Sequence, residues 1–149
     1  MKSSDELINA IKSFEGCELK AYKCPAGVWT IGYGHTLGVK QGQKITQEIA
    51  VQLLREDLVR YEKAVQNLGV PKLTQAKFDA LVDFAYNAGY ANLRNSTFLK
   101  LIKSGAPEAQ IRSAWMQWVK ATDPKTKKKI TLPGLVKRRQ WECDMFFHI

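Results

Sequence analysis

A helix that halts at Glu15-Gly16, with a hairpin compressed into the residues directly after it, limits this chain more than any other feature of its sequence. Leu7, Ile8, Ile11 and Phe14 recur at helical spacing and Ser3 with Glu6 has capping-box spacing, so the pattern predicts a helix from Ser4 to about Phe14. Leu19 to Tyr22 and Val28 to Tyr33 then read as two short strands around Pro25-Ala26-Gly27, where proline presets φ and glycine accepts a positive φ. Helical periodicity dominates the remainder of the chain. The expected fold class is therefore α+β.

A long amphipathic helix is predicted after Thr46, carrying Leu53, Leu54, Leu58, Tyr61 and Val65 until Gly69 and Pro71 stop it. Thr74 is the expected N-cap of the next helix, whose Phe78, Leu81, Val82 and Ala85 form a core stripe ending at Gly89. Helical pieces come next around Ser96 to Lys103 and Pro107 to Lys120, and a last helix after Pro133 reaches Phe147, packing Leu135, Trp141 and Met145. Gly38 to Lys44 and the lysine-rich stretch 125 to 129 read as solvated loops. At 149 residues the chain suits one domain over 1–149: a small N-terminal hairpin lobe joined by the long helix to a larger helical lobe. A ligand groove is expected between the lobes, with Trp115 and Trp118 as core and rim residues.

The chemistry sits in the first lobe. Eight residues separate Glu15 from Cys24, and five separate Cys24 from Thr30. At a helix C-terminus the dipole disfavours an ionised carboxyl, which is what a proton donor near neutral pH needs. If the hairpin folds back over the helix end, Cys24 and Thr30 face Glu15 across a gap that admits a sugar ring and a water. Gly32 and Gly34 would then let a polysaccharide approach the backbone. Glu18, one helical turn on, would point much as Glu15 does and is read as solvated. His35 is read as a structural histidine hydrogen-bonded beneath the hairpin, and no second histidine is spaced to suggest a metal site.

The net charge of +9 is concentrated in Lys120–Arg139, where eight basic residues face Asp123 alone. Such a segment attracts polyanions in a salt-dependent way. Anionic polysaccharides, anionic membranes and lipopolysaccharide all qualify. No apolar run is long enough to span a bilayer and the N-terminus lacks a signal-peptide core, so synthesis and folding in the cytoplasm are expected. Cys17, Cys24 and Cys143 are odd in number without paired short spacing, which points to reduced thiols and to neither a disulfide framework nor a zinc site. Cys17 and Cys143 read as small buried residues, and a Cys17–Cys24 bridge is disfavoured because it would occupy the thiol beside Glu15. No metal and no cofactor is called for.

Three separated segments, Glu15-Gly16 through Thr30-Ile31-Gly32-Tyr33-Gly34-His35, Leu73 to Gly89, and Leu132 to Arg139, resemble the phage-type lysozymes or endolysins, and the likeness covers nearly the whole chain. The resemblance implies a lysozyme-like fold and a muramidase that cuts the β-1,4 bond between N-acetylmuramic acid and N-acetylglucosamine in peptidoglycan, for host lysis. It carries over Glu15 as the acid, Cys24 at the place of an Asp in many members, and Thr30 as a hydroxyl that helps hold water. Gly34, Thr36, Tyr86, Asn87 and Thr97 are implied to contact the glycan, with His35, Arg138 and Arg139 supporting, either arginine orienting Glu15. It further implies a monomer with no nucleic-acid partner, made in the host cytoplasm and dependent on a separate membrane-permeabilising protein to reach the wall.

Cys24 has three possible roles: positioning water with Thr30, stabilising an oxocarbenium-like transition state as thiolate, or attacking as nucleophile. Two other activities fit parts of the pattern. A lytic transglycosylase needs one acid only and leaves 1,6-anhydro ends, whereas a non-enzymatic basic module would bind nucleic acid or anionic membranes and leave the Glu15, Cys24 and Thr30 spacing unexplained.

Overall fold

The structure is a computed structural model that describes residues 1–148. Its residues form two compact units, one of residues 2–60 and one of Met1 with the chain from Tyr61 onward. Among the described residues there are seven helices and two two-stranded antiparallel sheets, an α+β fold.

The first unit opens with α1, Asp5–Glu15, capped by Ser4, whose Oγ accepts from the Leu7 amide at 3.2 Å. The cap lies one residue later than the Ser3 and Glu6 spacing predicts, and Ser3 is buried instead. Leu7, Ile8 and Ile11 face the core, and Gly16 at φ 67° ends the helix immediately after Glu15. Strands β1, Glu18–Lys23, and β2, Trp29–Gly32, pair with Tyr22 opposite Thr30 and Lys23 opposite Trp29. Their turn closes through Gly27 N–H to the Cys24 carbonyl at 2.8 Å and Cys24 N–H to the Val28 carbonyl at 3.0 Å, with Gly27 at φ 81°. This is the proline-then-glycine geometry that a three-residue hairpin loop requires.

Helix α2, Gln47–Gln66, starts where Thr46 Oγ1 accepts from the Ile49 amide at 3.2 Å. It begins in the first unit and ends in the second. Gly32 is turned away from solvent: a Cβ there would meet Ala50 and Ile45 at 3.5 Å, and its φ is 66°. Those are ordinary contact distances, so the positive φ is what favours glycine there. The segment 38–44 is not wholly a loop, because Ala21 N–H donates to Gln43 O and Ile45 N–H to Leu19 O, both at 2.9 Å, adding an edge to β1.

The second unit is built around α3, Gln75–Ala88, capped by Thr74 through the Lys77 amide and stopped at Gly89. The predicted apolar stripe widens here into burial on all sides, since every residue from Phe78 to Ala85 is buried, Asp79 and Asp83 included. Short α4, Tyr90–Arg94, was not legible as a separate helix. Helix α5, Thr97–Ser104, is capped by Ser96 and closed by left-handed Gly105, and α6, Glu108–Trp115, comes after Pro107. Helix α6 ends at Trp115 and not near Lys120. There Val119, Thr122, Ile130 and Thr131 supply β-branched residues for the hairpin of β3, Lys120–Thr122, and β4, Lys129–Thr131, which replaces the expected loop. Helix α7, Pro133–Phe146, packs on α3.

The core of this unit is aromatic. Phe98 stacks on Trp115 at 4.4 Å between centroids, and Phe84 meets Phe98 and Trp118 edge-on. Each such ring, fully buried, contributes about 1.5–3 kcal/mol by area alone. Against it lies a polar cluster. The buried face of α7 is Arg138, Arg139, Glu142, Cys143 and Phe146, while Leu135, Trp141 and Met145 are only half-buried. Arg138 donates to both carboxylate oxygens of Asp83 at 2.8 and 3.0 Å, and Arg139 Nη2 donates to Glu142 at 2.9 Å. Trp115 Nε1 donates to Glu142 at 2.9 Å.

Burial first, and the neighbouring Asp83 second, push the Glu142 carboxyl well above its ordinary value of 4.5. Asp83 is also buried, but its hydrogen bonds to Glu142 and Arg138 outweigh desolvation and hold it below 3.8. A raised acid adds stability below its unfolded value and loses it as pH rises through its folded one. Thermal stability should therefore fall from pH 4.5 toward neutrality, and Glu142→Gln should flatten that slope in melts across the range. The depressed Asp83 acts oppositely, losing stability only as pH drops below about 3.8.

Candidate active site

The first unit gathers an acid, a thiol and a hydroxyl. Glu15 is the last, exposed residue of α1. Cys24 and Thr30 lie on one face of the hairpin, because Cys24 pairs its backbone with Val28 and side chains alternate along a strand. Thr30 is 4% exposed, and its hydroxyl donates to the Val28 carbonyl at 3.0 Å.

The amides of Val28 and Ala26 are aimed at the Cys24 sulfur and lower its proton affinity, outweighing desolvation. The tight turn presents its N–H groups to an anion. Cys24 is thus more acidic than an ordinary thiol. Cys143 is its opposite: buried in α7, it is pushed up to about 12 by desolvation.

Tyr22 joins this group. Burial raises its phenol, and the charges of Glu18, Cys24 and Glu15 raise it further, so its hydroxyl is within electrostatic reach of all three. The sequence held a signal for it, since residues 22 and 24 share one face of β1 by period two. Glu18 is not a helical turn beyond Glu15; it opens β1 opposite Gly32 and is exposed.

His35 closes back on Ile31 through paired backbone hydrogen bonds of 2.9 Å. Its Nδ1 lies 2.8 Å from Asp57 Oδ2, and its Nε2 lies 2.9 Å from the Leu37 carbonyl. Both ring nitrogens thus lie within hydrogen-bonding distance of protein oxygens. Asp57, its partner on α2, carries no sequence signal, because the two are 22 residues apart. Gly34, at φ 91°, and Thr36 are exposed beside it. Among the described residues, no group of three or more His, Cys, Asp or Glu is placed to hold a metal.

The three cysteines are free thiols. Cys17 and Cys24 flank the six-residue β1, which at ~3.3 Å per residue sets their Cα atoms roughly 20 Å apart. No disulfide spans that separation. Cys17 lies instead beside the buried Tyr33 hydroxyl, which also accepts from Gln47.

The remaining sequence-derived residues belong to the second unit. Tyr86 meets Tyr61 edge-on at 5.6 Å, and Asn87 accepts from Arg139. Thr97 lines an open hollow of about 430 Å³ with Asn95, Ser96, Ala114, Gln117 and Trp118.

The family model for phage lysozymes matches residues 12–142. The chain belongs to the phage lysozyme family. It is 39% identical over 146 residues to the endolysin of Acyrthosiphon pisum secondary endosymbiont phage 1, covering 98% of each. Among solved structures, the endolysin from Escherichia coli O157:H7 phage FAHEc1 is 40% identical with a TM-score of 0.88, over 99% of this chain and 94% of that one. The muramidase domain of SpmX from Asticaccaulis excentricus is 36% identical with a TM-score of 0.90 over 99% of both. The chain spans about half of the Bacillus phage B103 endolysin, 54% of its length. The fold is that of a phage lysozyme, and the activity is that of an endolysin-type glycoside hydrolase acting on the bacterial cell wall. Among the described residues no helix is long and apolar enough to cross a membrane.

Proposed function

We propose that this phage lysozyme hydrolyses the β-1,4 bond between N-acetylmuramic acid and N-acetylglucosamine, with Glu15 as general acid and Cys24 with Thr30 placing the attacking water. One observation carries it: the hairpin sets the Cys24 sulfur and Thr30 hydroxyl side by side, and Tyr22 on the same face is within electrostatic reach of Glu15. Glu15 gives its proton to the leaving glycosidic oxygen as the bond breaks. Water adds its oxygen to the anomeric carbon and passes a proton to the acceptor at Cys24, whose thiolate is made more available by the Val28 and Ala26 amides. Gly34 and Thr36 are suited to contact sugar hydroxyls on the first unit. The hollow at Thr97 and Trp118, and Tyr86 with Asn87, are suited to do so on the second. The protein works as a monomer, made in the host cytoplasm and reaching the wall after membrane permeabilisation.

Cys24→Ala should lower wall lysis by about a hundredfold, the lower end of what a positioned acid or base contributes. Cys24→Asp should keep much of the activity, since a carboxylate accepts the water proton as well. Wild-type rates for Cys24→Ala would remove the sulfur from the mechanism. A thiol in place of a second carboxylate also suits a transglycosylase, which uses the sugar's own hydroxyl. Mass spectrometry of the digest separates the two: reducing muramic ends support hydrolysis, and 1,6-anhydro ends overturn it.

A further inference from the structure

The lysine excess divides once the structure is known. Arg138 and Arg139 are buried and paired with Asp83 and Glu142, so they add nothing to the surface field. The five lysines of the β3–β4 hairpin, Lys120, Lys125, Lys127, Lys128 and Lys129, are all exposed. Among the described residues, none of the five makes an ion pair, in contrast to Arg112, which binds both Glu108 and Asp144. The one acid of the hairpin is turned inward. Asp123 accepts from the Lys125 amide at 3.0 Å and from Thr126 Oγ1 at 3.1 Å, so its carboxylate shapes the turn while the lysines around it stay uncompensated. Lys127, at φ 60°, occupies a left-handed position that side chains rarely adopt, and the Asp123 carbonyl accepts its amide at 2.8 Å.

We infer that this hairpin is a docking surface for the carboxylates of the cell-wall network, holding the enzyme on its insoluble substrate between cuts; this rests on the lysozyme assignment. Five point charges without a pocket or an arginine fork recognise charge density, not one shaped anion, and suit a flexible, repeating polyanion. A bilayer surface fits less well. Cross-strand pairing puts Ala121 and Ile130 on the face opposite Lys120 and Lys129, and the single half-exposed Ile130 is too little apolar surface to insert.

The test uses the full chain carrying Glu15→Gln, so that binding is read without turnover, and purified insoluble peptidoglycan freed of accessory polymers. Replacing Lys125, Lys127, Lys128 and Lys129 with Gln should weaken binding about tenfold or more at low salt, and the difference should vanish at high salt. Wall whose carboxylates are capped as amides should bind parent and variant equally weakly. A second variant with the same four lysines changed to Glu should bind more weakly still, with an unchanged melting temperature. Equal binding of parent and Gln variant at low salt, or undiminished binding to amidated wall, overturns the proposal. So does a lysine-dependent preference for anionic phospholipid vesicles over wall, which would assign the surface to membranes. Failure of the lysozyme assignment shows separately, as absence of wall cleavage by the protein that keeps Glu15.

Discussion

Glu15→Gln is expected to slow wall lysis by about 10²–10⁴-fold, the range a positioned general acid contributes. The amide keeps the size and hydrogen-bonding character of the carboxyl but has no proton to give the leaving oxygen. Glu15→Asp retains the acid and withdraws it by one methylene, a displacement of about 1 Å that is enough to cost up to 10²-fold. Turbidity clearance of cell walls, with a melting curve for each variant, separates lost chemistry from lost fold. The position favours a clean result, since Glu15 is exposed at the end of α1 and the apolar face of that helix is Leu7, Ile8 and Ile11. Undiminished clearance by Glu15→Gln would take the carboxyl out of the reaction.

Asp83→Ala should have the largest effect on stability. It strips the fully buried guanidinium of Arg138 of both carboxylate hydrogen bonds, at 2.8 and 3.0 Å. Removing one member of a buried pair costs about 3–5 kcal/mol, which in a chain of this size lowers the melting temperature by roughly 6–20 °C. Most of that cost is the stranded charge and not the lost attraction. The double variant Asp83→Leu with Arg138→Met, which leaves no charge behind, should therefore recover much of the loss. Glu142 complicates the cluster, because its carboxyl touches Asp83 and is itself held above the usual range. Calorimetry on the two single variants and the double one reads the coupling directly. A single-variant cost below ~1 kcal/mol would mean that water reaches the pair.

Much of the fold was legible because its signals are local. Gly16 stops α1, Pro25 and Gly27 make the hairpin turn, and Thr74 caps α3, each acting on groups a few residues away. Strands β3 and β4 were not legible for a related reason. Each is three residues long, and the lysines between them read as solvated loop, although Asp123 followed by Lys125 and Thr126 is turn chemistry that was there to be read. Hydrophobicity points to Leu135, Trp141 and Met145 as the packing face of α7, whereas the buried face is the one that carries Arg138, Arg139 and Glu142. Arginine and glutamate fill the core only when they bring partners from elsewhere.

Residue order alone determined that a carboxylate ends a helix and that a thiol and a hydroxyl come after it on one hairpin, since backbone preference and alternation decide both. Tertiary structure decided which carboxylate meets Arg138, 55 residues away, and which acid holds His35. A buried charge must find an opposite one in space, and no local pattern records where that partner lies.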